Sequence, residues 1–467
     1  MDRKKYCHIR LWITVIIAAG FLTIGTGFSR DLSASNEETY RGLKIFSDVL
    51  QIIENDYVDP VDTKELVQKA IQGMIRGLDP HSALLPPEAL EDLEIDSEGE
   101  FPGIGIHITL QNDLVTVISP IEGTPAFKAG IKAKDKIIKI GGVTPKDLRD
   151  AVSKMRGPKG TSVVVTILRE GVPDPIDFTL VRDIIPVESI KSMSIRPGYG
   201  YIWITNFTGN TTEDFLKALE KLESSTVPLK GLILDLRDNG GGLLNQAIKI
   251  SDIFLEEGKI LSIEGRHKKN SRVFKAHPDK VKRTYPIIVL INGGTASASE
   301  IVAGALQDQK RALLIGTTSF GKGSVQSVEP LRDGYALKLT IARYYTPSGR
   351  SIQAKGIEPD IVLRHKMIGD ETNYDDGGML KEKDLKNHID ANPDEKKDKK
   401  ETAPDIKKEK DPATNKDKKE LGKKTKMREF DYRLGPLTIE GLQSDNQVMH
   451  ALEILLSYEI FKDKLKN

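Results

Sequence analysis

The stretch Pro286-Ile-Ile-Val-Leu-Ile-Asn-Gly-Gly-Thr-Ala-Ser-Ala-Ser-Glu300 decides the fold class. Its run of aliphatic residues predicts a buried strand. The glycine pair allows a sharp turn, and a helix is predicted from about Ala296. Ser297 would then lie at a helix N-terminus, where unpaired backbone N–H groups favour developing negative charge. The segment predicts an α/β sheet with its chemistry where a strand ends.

Strands and helices alternate on both sides of this segment. Strands are predicted at 199–206, 231–236, 311–315 and 335–345, and helices at 211–222 and 243–255. A Gly-rich turn, Asp235-Leu-Arg-Asp-Asn-Gly-Gly-Gly242, joins one strand to the next helix. We therefore expect an α/β multidomain protein whose α/β core spans residues 186–366.

Two smaller modules precede the core. Apolar residues three and four positions apart predict a small N-terminal helical domain over residues 36–98. Residues 99–185 carry short strands, predicted at 104–110, 114–118, 136–140 and 162–169, and a helix at 145–155. This second module is predicted to be a compact β-rich domain.

The N-terminus, residues 1–35, is typical of an export sequence. Basic residues precede an uncharged run from Leu11 to Ser29, which at roughly 18 residues is long enough to span a bilayer. The segment is a cleaved signal or an uncleaved membrane anchor, and in either case the rest of the chain is expected outside the cytoplasm, in a periplasm-like space. The single cysteine, Cys7, precedes the run, which excludes an internal disulfide and a Cys–His nucleophile.

The C-terminal part contains a charged segment and a helix. Residues 367–428 are dominated by Lys, Glu and Asp, which predicts a disordered segment that is dispensable for peptide cleavage. Residues 429–467 are predicted to end in a helix. Its residues Leu452, Leu455 and Leu456 need a partner surface, in this chain or in a second copy.

Composition argues against several functional classes. The formal net charge of +1 over 467 residues gives no general attraction to nucleic acid. No histidines have metal-ligand spacing, so we expect neither metal nor cofactor. His81, between two predicted helices, is interpreted as structural.

Two further motifs use Lys322. Residues 316–323 nearly match a phosphate-binding loop, but Gly323 stands where a hydroxyl should hold magnesium. Ser319-Phe-Gly-Lys322 has the Ser-x-x-Lys spacing of penicillin-binding proteins, but flanking glycines disfavour the helix it needs. The alternative is that Ser297 is a nucleophile, although serine is also a common helix cap.

The order of motifs along the chain favours the nucleophile. The chain resembles the carboxy-terminal processing peptidases, the tail-specific serine proteases with an internal PDZ domain. The resemblance rests on five motifs in order: Leu78-Asp-Pro-His-Ser82, Asp235-Leu-Arg-Asp-Asn-Gly-Gly-Gly242, Thr295-Ala-Ser-Ala-Ser-Glu300, Gly321-Lys-Gly-Ser-Val-Gln326 and Tyr345-Thr-Pro-Ser-Gly-Arg-Ser-Ile-Gln353.

This resemblance implies a Ser–Lys dyad. The family's nucleophile corresponds to Ser297, its lysine base to Lys322 and its supporting glutamine to Gln326. A helical turn between Lys322 and Gln326 would bring the glutamine amide oxygen to the lysine amine. The backbone N–H groups of Ala298 and Gly242 would form the oxyanion hole.

The β-rich module resembles a PDZ domain. Its carboxylate-binding loop corresponds to the run Gly103-Ile104-Gly105-Ile106, which would select proteins with free, apolar C-termini by adding them as a strand. Arg156 could reach the dyad region, for instance Gln326, and report that the PDZ domain is occupied. An ordinary exposed arginine beside a turn fits the same sequence.

The resemblance implies a serine endopeptidase that cleaves exported proteins near their C-termini. The alternative from another class is a non-catalytic PDZ scaffold or chaperone, which would have no reason to retain Ser297, Lys322 and Gln326. A homo-oligomer or an activating partner is compatible with either function.

Overall fold

The computed structural model describes residues 37–111, 113–279, 281–368, 379–390 and 437–466. The described residues divide into two compact units, one before and one after the boundary between Gly77 and Leu78. The first unit contains helix α1, residues 37–56, and helix α2, Thr63–Arg76. Asp62 caps α2 by accepting hydrogen bonds from the backbone of Lys64 and Glu65. The helical character predicted for this part of the chain is confirmed.

The second unit begins with a short strand and a helix, followed by the β-rich module. Its elements are β1 (Ala83–Leu85), α3 (Pro87–Glu98), β2 (Glu100–Gly103), β3 (Ile106–Gln111), β4 (Leu114–Pro120), α4 (Pro125–Ala129), β5 (Lys136–Ile140), α5 (Leu148–Met155), β6 (Ser162–Leu168), β7 (Ile176–Val181) and β8 (Asp183–Pro186). Strands β3 to β7 form an antiparallel sheet in sequence order, and β2 pairs with β8. The strand predicted from Ile104 begins at Ile106, because Ile104 and Gly105 lie in a loop.

The core alternates strands and helices as predicted. Its elements are β9 (Ile190–Arg196), β10 (Tyr199–Ile204), α6 (Thr211–Glu223), β11 (Gly231–Asp235), α7 (Leu244–Asp252), β12 (Lys259–Gly265), β13 (Arg272–Lys275), β14 (Ile287–Ile291), α8 (Ala298–Asp308), β15 (Ala312–Gly316), β16 (Ser324–Pro330), β17 (Ala336–Tyr345) and β18 (Ile361–Val362). The main sheet has the order β18-β15-β14-β11-β10-β9, and all its pairs are parallel except β10–β9.

A second sheet lies beside the main one within this unit. Its order is β1-β17-β12-β13, and β16 also pairs with β17. The pairing of β16 with β17 contradicts the helical turn expected between Lys322 and Gln326. Ser324–Pro330 is a strand because its backbone pairs with β17 along its whole length.

Helices cover both faces of the main sheet. Helices α6, α7 and α8 pack on one face, through residues such as Phe215, Ile250 and Val302. The chain ends in α9 (Ile439–Ser444) and α10 (Asn446–Lys466), and α10 packs on the other face through Leu452 and Leu455. The partner surface of the last helix is therefore in this chain.

A buried ion pair network fixes the start of α10. Arg237, in the Gly-rich turn after β11, donates hydrogen bonds to Asp235, Asp445 and Gln447. Burial pushes the pKa of Asp445 upward, but the interactions with Arg237 and His365 together outweigh it and hold that pKa well below its usual range. The network ties the turn that borders the candidate site to the C-terminal helix.

Part of the predicted disordered segment has a defined structure. Residues 379–390 pack on the core, and Glu382 within them is fully buried. The composition argument fails here because a partly buried histidine, His81, and a buried glutamine, Gln353, partner this carboxylate. Residues 369–378 and 391–428 lie outside the described residues, so we restrict the expectation of dispensability to 391–428.

The predicted membrane-spanning or signal segment also lies outside the described residues. Among the helices that the structure describes, none combines the length and the hydrophobicity that a bilayer crossing requires.

Candidate active site

Ser297 occupies a strained turn between β14 and α8. Its backbone has φ 55° and ψ −114°, a conformation that non-glycine residues rarely adopt. The turn is held by Thr295, whose hydroxyl donates to the Leu236 carbonyl and accepts from the Asn292 N–H. The side chain of Ser297 is half-buried at the N-terminus of α8. This geometry presents a hydroxyl where backbone donors converge, as a nucleophile elbow does.

Glu300 joins the turn of Ser297 to the loop that carries Lys322. The carboxylate is completely buried, and its Oε2 accepts from the backbone N–H groups of Ser297 at 2.8 Å and Lys322 at 2.9 Å. Its Oε1 accepts from the Ser319 hydroxyl and from the Gly321 N–H. Burial raises the pKa of Glu300 to about 7, and these four donors oppose the rise. One carboxylate thus fixes both segments.

Lys322 lies in the loop before β16. Burial, and the positive charge of Lys338 on β17, lower the pKa of Lys322 below its ordinary value, while Glu382, Glu300 and Asp79 partly restore it. Within the described residues, no hydrogen bond or ion pair holds its Nζ. A lysine with a lowered pKa and a free amine is suited to act as a base.

Tyr344, on β17, lies between the two segments. Its hydroxyl donates to the Lys322 carbonyl. Burial, together with the negative charge of Glu300, raises the pKa of Tyr344 well above its ordinary value, and an interaction with the Ser297 side chain opposes this. The Ser297 hydroxyl therefore faces Tyr344 in this structure, and no hydrogen bond joins it to Lys322.

The Gly-rich turn after β11 borders Ser297. A Cβ added to Gly241, whose φ is +105°, would lie 2.8 Å from Ser297 Cβ and 3.0 Å from the Ala298 nitrogen. The turn is fixed by Asn239, which accepts from the Gly241 N–H. In the described part of the chain, the N–H groups of Ala298 and Gly242 have no hydrogen-bond acceptor. These amides are available to a ligand beside the serine.

No hydrogen bond joins Gln326 to Lys322 in the structure. Its amide nitrogen donates to Ser324 Oγ at 3.0 Å and to Thr340 Oγ1 at 3.3 Å. The helical contact expected from the sequence is wrong because β16 is extended. The amide oxygen of Gln326 accepts no hydrogen bond from the described residues.

The Asp-Pro-His-Ser motif forms a turn against β17. Asp79 accepts from the backbone of His81 and Ser82 and from the Ser82 hydroxyl. Burial pushes the pKa of Asp79 upward, but these bonds outweigh it, so the pKa lies below its ordinary value. His81 also has a contact that the sequence does not indicate: its Nε2 lies 2.8 Å from Glu382 Oε2.

The predicted carboxylate-binding loop connects β2 to β3. The Ile104 side chain is buried in the core of the β-rich module, so only its backbone could meet a ligand. Gly105 adopts φ +79°, and a Cβ there would collide with Thr124 at 2.3 Å. The N–H groups of Ile104 and Gly105 have no acceptor among the described residues. Gly103 ends β2 and Ile106 begins β3.

Arg156 is held within its own neighbourhood. It follows α5, donates to Asp92 on α3 at 2.9 Å, and stacks on the Phe101 ring at 5.4 Å. No hydrogen bond joins it to Gln326, since its guanidinium is held by Asp92. Its Phe101 contact does place it beside the predicted carboxylate-binding loop.

Sequence reasoning missed three residues of this site. Glu300 lies within a motif singled out for Ser297, but its buried hydrogen bonds depend on a loop that is distant in sequence. Tyr344 was assigned only to a strand. Glu382 stood in a charged run that gave no signal of burial.

Comparisons with known proteins find three matching regions and several relatives. Residues 198–363 match the model of peptidase family S41, residues 102–180 that of a PDZ domain, and residues 26–88 that of the "activating protease CtpB N-terminal domain". The "carboxy-terminal-processing protease" of Bartonella bacilliformis is 46% identical over 77% of this chain and 84% of its own. The "carboxy-terminal processing protease CtpA" of Bacillus subtilis is 39% identical over 77% of this chain and 78% of its own. The solved "photosystem II D1 C-terminal processing protease" is 30% identical, covers 68% of this chain and 92% of its own, and superposes with a TM-score of 0.41.

Proposed function

The chain belongs to the carboxy-terminal processing proteases of peptidase family S41, which makes it a serine-type peptidase, and from this premise we propose that it cleaves exported proteins near their C-termini with a Ser297–Lys322 dyad. The observation that carries the proposal is the shared contact with Glu300. It places a strained serine and a lysine of lowered pKa on adjoining segments.

The proposed reaction begins with a rotation of the Ser297 side chain from Tyr344 towards Lys322. Neutral Lys322 accepts the hydroxyl proton as the oxygen attacks the scissile carbonyl carbon. The N–H groups of Ala298 and Gly242 stabilise the oxyanion of the tetrahedral intermediate. The lysine ammonium then protonates the leaving amine. Water, deprotonated by Lys322, hydrolyses the acyl-enzyme.

Gln326 supports the base in this proposal. Its amide oxygen accepts no hydrogen bond from the described residues, so it is available to the Lys322 ammonium that forms during the reaction. Its amide nitrogen is already fixed by Ser324 and Thr340, which keeps the side chain near the loop.

The PDZ domain selects the substrate in our proposal. The free N–H groups of Ile104 and Gly105 would bind the terminal carboxylate of a protein tail, and the tail would add to β3 as a strand beside α5. Gly103 and Ile106 bracket this loop, and the half-buried, apolar side chain of Ile106 favours apolar final residues. Arg156 contacts Phe101 at the start of the loop, and we propose that it reports occupancy.

Export is the remaining part of the proposal. It rests on the basic and apolar order of residues 1–35, which would serve as a signal or a membrane anchor. A reporter enzyme fused after Asp31 should be active outside the cytoplasm. Reporter activity inside the cytoplasm would reject export.

A fluorophosphonate probe for active-site serines tests the catalytic proposal. We expect stoichiometric labelling of the purified protein at Ser297 and no labelling of the Ser297→Ala variant. Ser348→Ala, an exposed serine, is the matched control and should be labelled like the wild type. Absence of labelling in the folded wild type would favour a PDZ scaffold.

A further inference from the structure

Residues 379–390 form hydrogen bonds with the loop that carries Lys322. The Lys381 ammonium donates to the carbonyl of Thr318 and, at 3.0 Å, to that of Ser319. The Glu382 backbone N–H donates to the Phe320 carbonyl at 3.2 Å. Three successive carbonyls before Lys322 thus have donors from one short segment. Contacts of this density fix the loop's main chain.

The Glu382 side chain is linked, through Gln353, to the backbone on the other side of Lys322. Its carboxylate lies 2.8 and 2.9 Å from His81 Nε2, and it accepts from Gln353 Nε2 at 2.9 Å. The Gln353 amide oxygen in turn accepts from the Gly323 N–H at 2.9 Å. A line of hydrogen-bonded polar groups therefore runs from His81 to the residue that follows Lys322.

The same segment reaches the turn of the nucleophile. A Cβ added to Gly293, in the turn before Ser297, would lie 3.0 Å from Met379 Sδ and 3.3 Å from Lys381 Nζ. The segment therefore lies against the turn that precedes Ser297 as well as against the loop that carries Lys322.

We propose that residues 379–390 are an intramolecular strap that positions Lys322 for catalysis, with Glu382 as its positioning residue; this rests on the proposed role of Lys322 as the base. The loop contains Gly321 and Gly323, which have wide conformational freedom. Without outside contacts, such a loop would lose backbone order, and a misplacement of about 1 Å in a catalytic group costs on the order of 100-fold in rate.

The strap also contributes, through Glu382, to the electrostatic field at the Lys322 ammonium. Positive Lys338 on β17 and negative Glu300, Asp79 and Glu382 act on the Lys322 ammonium. His81 adjoins Glu382, and the uncharged Tyr344 hydroxyl contacts the lysine backbone. Neutralising Glu382 removes one of three negative charges, so the pKa of Lys322 should fall further. Because the base must be neutral, activity should then begin at lower pH.

Two variants of the full-length protein separate these effects. Glu382→Ala removes the bonds to His81 and Gln353, so kcat for a peptide should fall about 10- to 100-fold with an unchanged KM. Glu382→Gln keeps an acceptor for Gln353, so kcat should stay within a few-fold while the rising limb of its pH profile moves to lower pH. Amide hydrogen exchange in residues 318–323 should accelerate in Glu382→Ala alone.

Controls make each outcome decisive. Glu257→Gln, the same change at an exposed site, should match the wild type in every measurement. If Glu382→Ala does not fold, Lys381→Ala, which releases the Thr318 and Ser319 carbonyls, replaces it with the same expectation. Folded strap variants that keep the wild-type kcat, pH profile and amide hydrogen exchange would overturn the proposal. Increased activity would also overturn it, because the segment would then be inhibitory. Fluorophosphonate labelling of Ser297 in the wild type is the separate check on the proposed function.

Discussion

Ser297 and Lys322 donate their backbone N–H groups to the same oxygen atom, Oε2 of Glu300, at 2.8 and 2.9 Å. The nucleophile and the base are therefore positioned by one buried carboxylate, although they lie on segments separated by helix α8 and strand β15. This relationship explains how the two side chains can act together while the serine hydroxyl faces Tyr344 in the resting structure.

The first prediction concerns the titration of Glu300. Burial raises its pKa from 4.5 to about 7 in the folded protein. The folded state then binds a proton that the unfolded state has lost, so stability falls as pH rises from about 4.5 through about 7. Relative to Glu300→Gln, the wild type should lose about 3 kcal/mol across that window, measured by denaturant unfolding. A difference that stays constant with pH would show that Glu300 titrates ordinarily.

The second prediction concerns the last helix. Leu455 on α10 is 1% exposed and packs on the main sheet, whereas Ile460 on the same helix is 57% exposed. Leu455→Ala should lower the free energy of unfolding by about 2–5 kcal/mol, because it leaves a cavity. Ile460→Ala is the matched control, with an expected change within about 0.5 kcal/mol. Equal effects would mean that α10 is not docked on this sheet.

The sequence predicts the order of elements well and the details of the site less well. The buried runs of β11 and β14 and the glycines after them identify an α/β core, because strand burial and turn chemistry are local properties. Contacts such as Glu300 with Lys322 and Glu382 with His81 depend on how distant segments pack, which periodicity does not encode. The helical turn expected at Gln326 failed because pairing with β17 overrides local preference.

The third prediction concerns carboxylate selection by the PDZ domain. The free N–H groups of Ile104 and Gly105 suit a terminal carboxylate, and amidation removes that charge. A peptide with apolar final residues should therefore be cleaved with a higher KM when amidated, and its kcat should fall only by the several-fold that the loss of occupancy reporting through Arg156 costs. A second pair of peptides, free and amidated, with proline as the penultimate residue is the control for strand addition, because proline lacks the backbone N–H that pairs with β3. Equal KM values for free and amidated peptides would reject carboxylate selection.

The fourth prediction concerns Arg156. It contacts Phe101 on β2, the strand that leads into the PDZ loop, and Asp92 on α3. Arg156→Ala should lower turnover of peptides with a free C-terminus by several-fold while leaving amidated peptides unchanged, since only the former occupy the loop. Lys159→Ala, a nearby exposed cation, is the matched control. Unchanged turnover in Arg156→Ala would leave the PDZ domain as a tether without a signalling role.

The most direct test of the dyad is the rate of Ser297 acylation by a fluorophosphonate as a function of pH, in the wild type and in Lys322→Arg. Burial lowers the pKa of Lys322, so the wild-type rate should rise through an apparent pKa below 10.5, the ordinary value for lysine. Lys322→Arg should fold and remain unlabelled at every pH, because a guanidinium does not lose its proton. Labelling of Lys322→Arg at the wild-type rate would contradict the account.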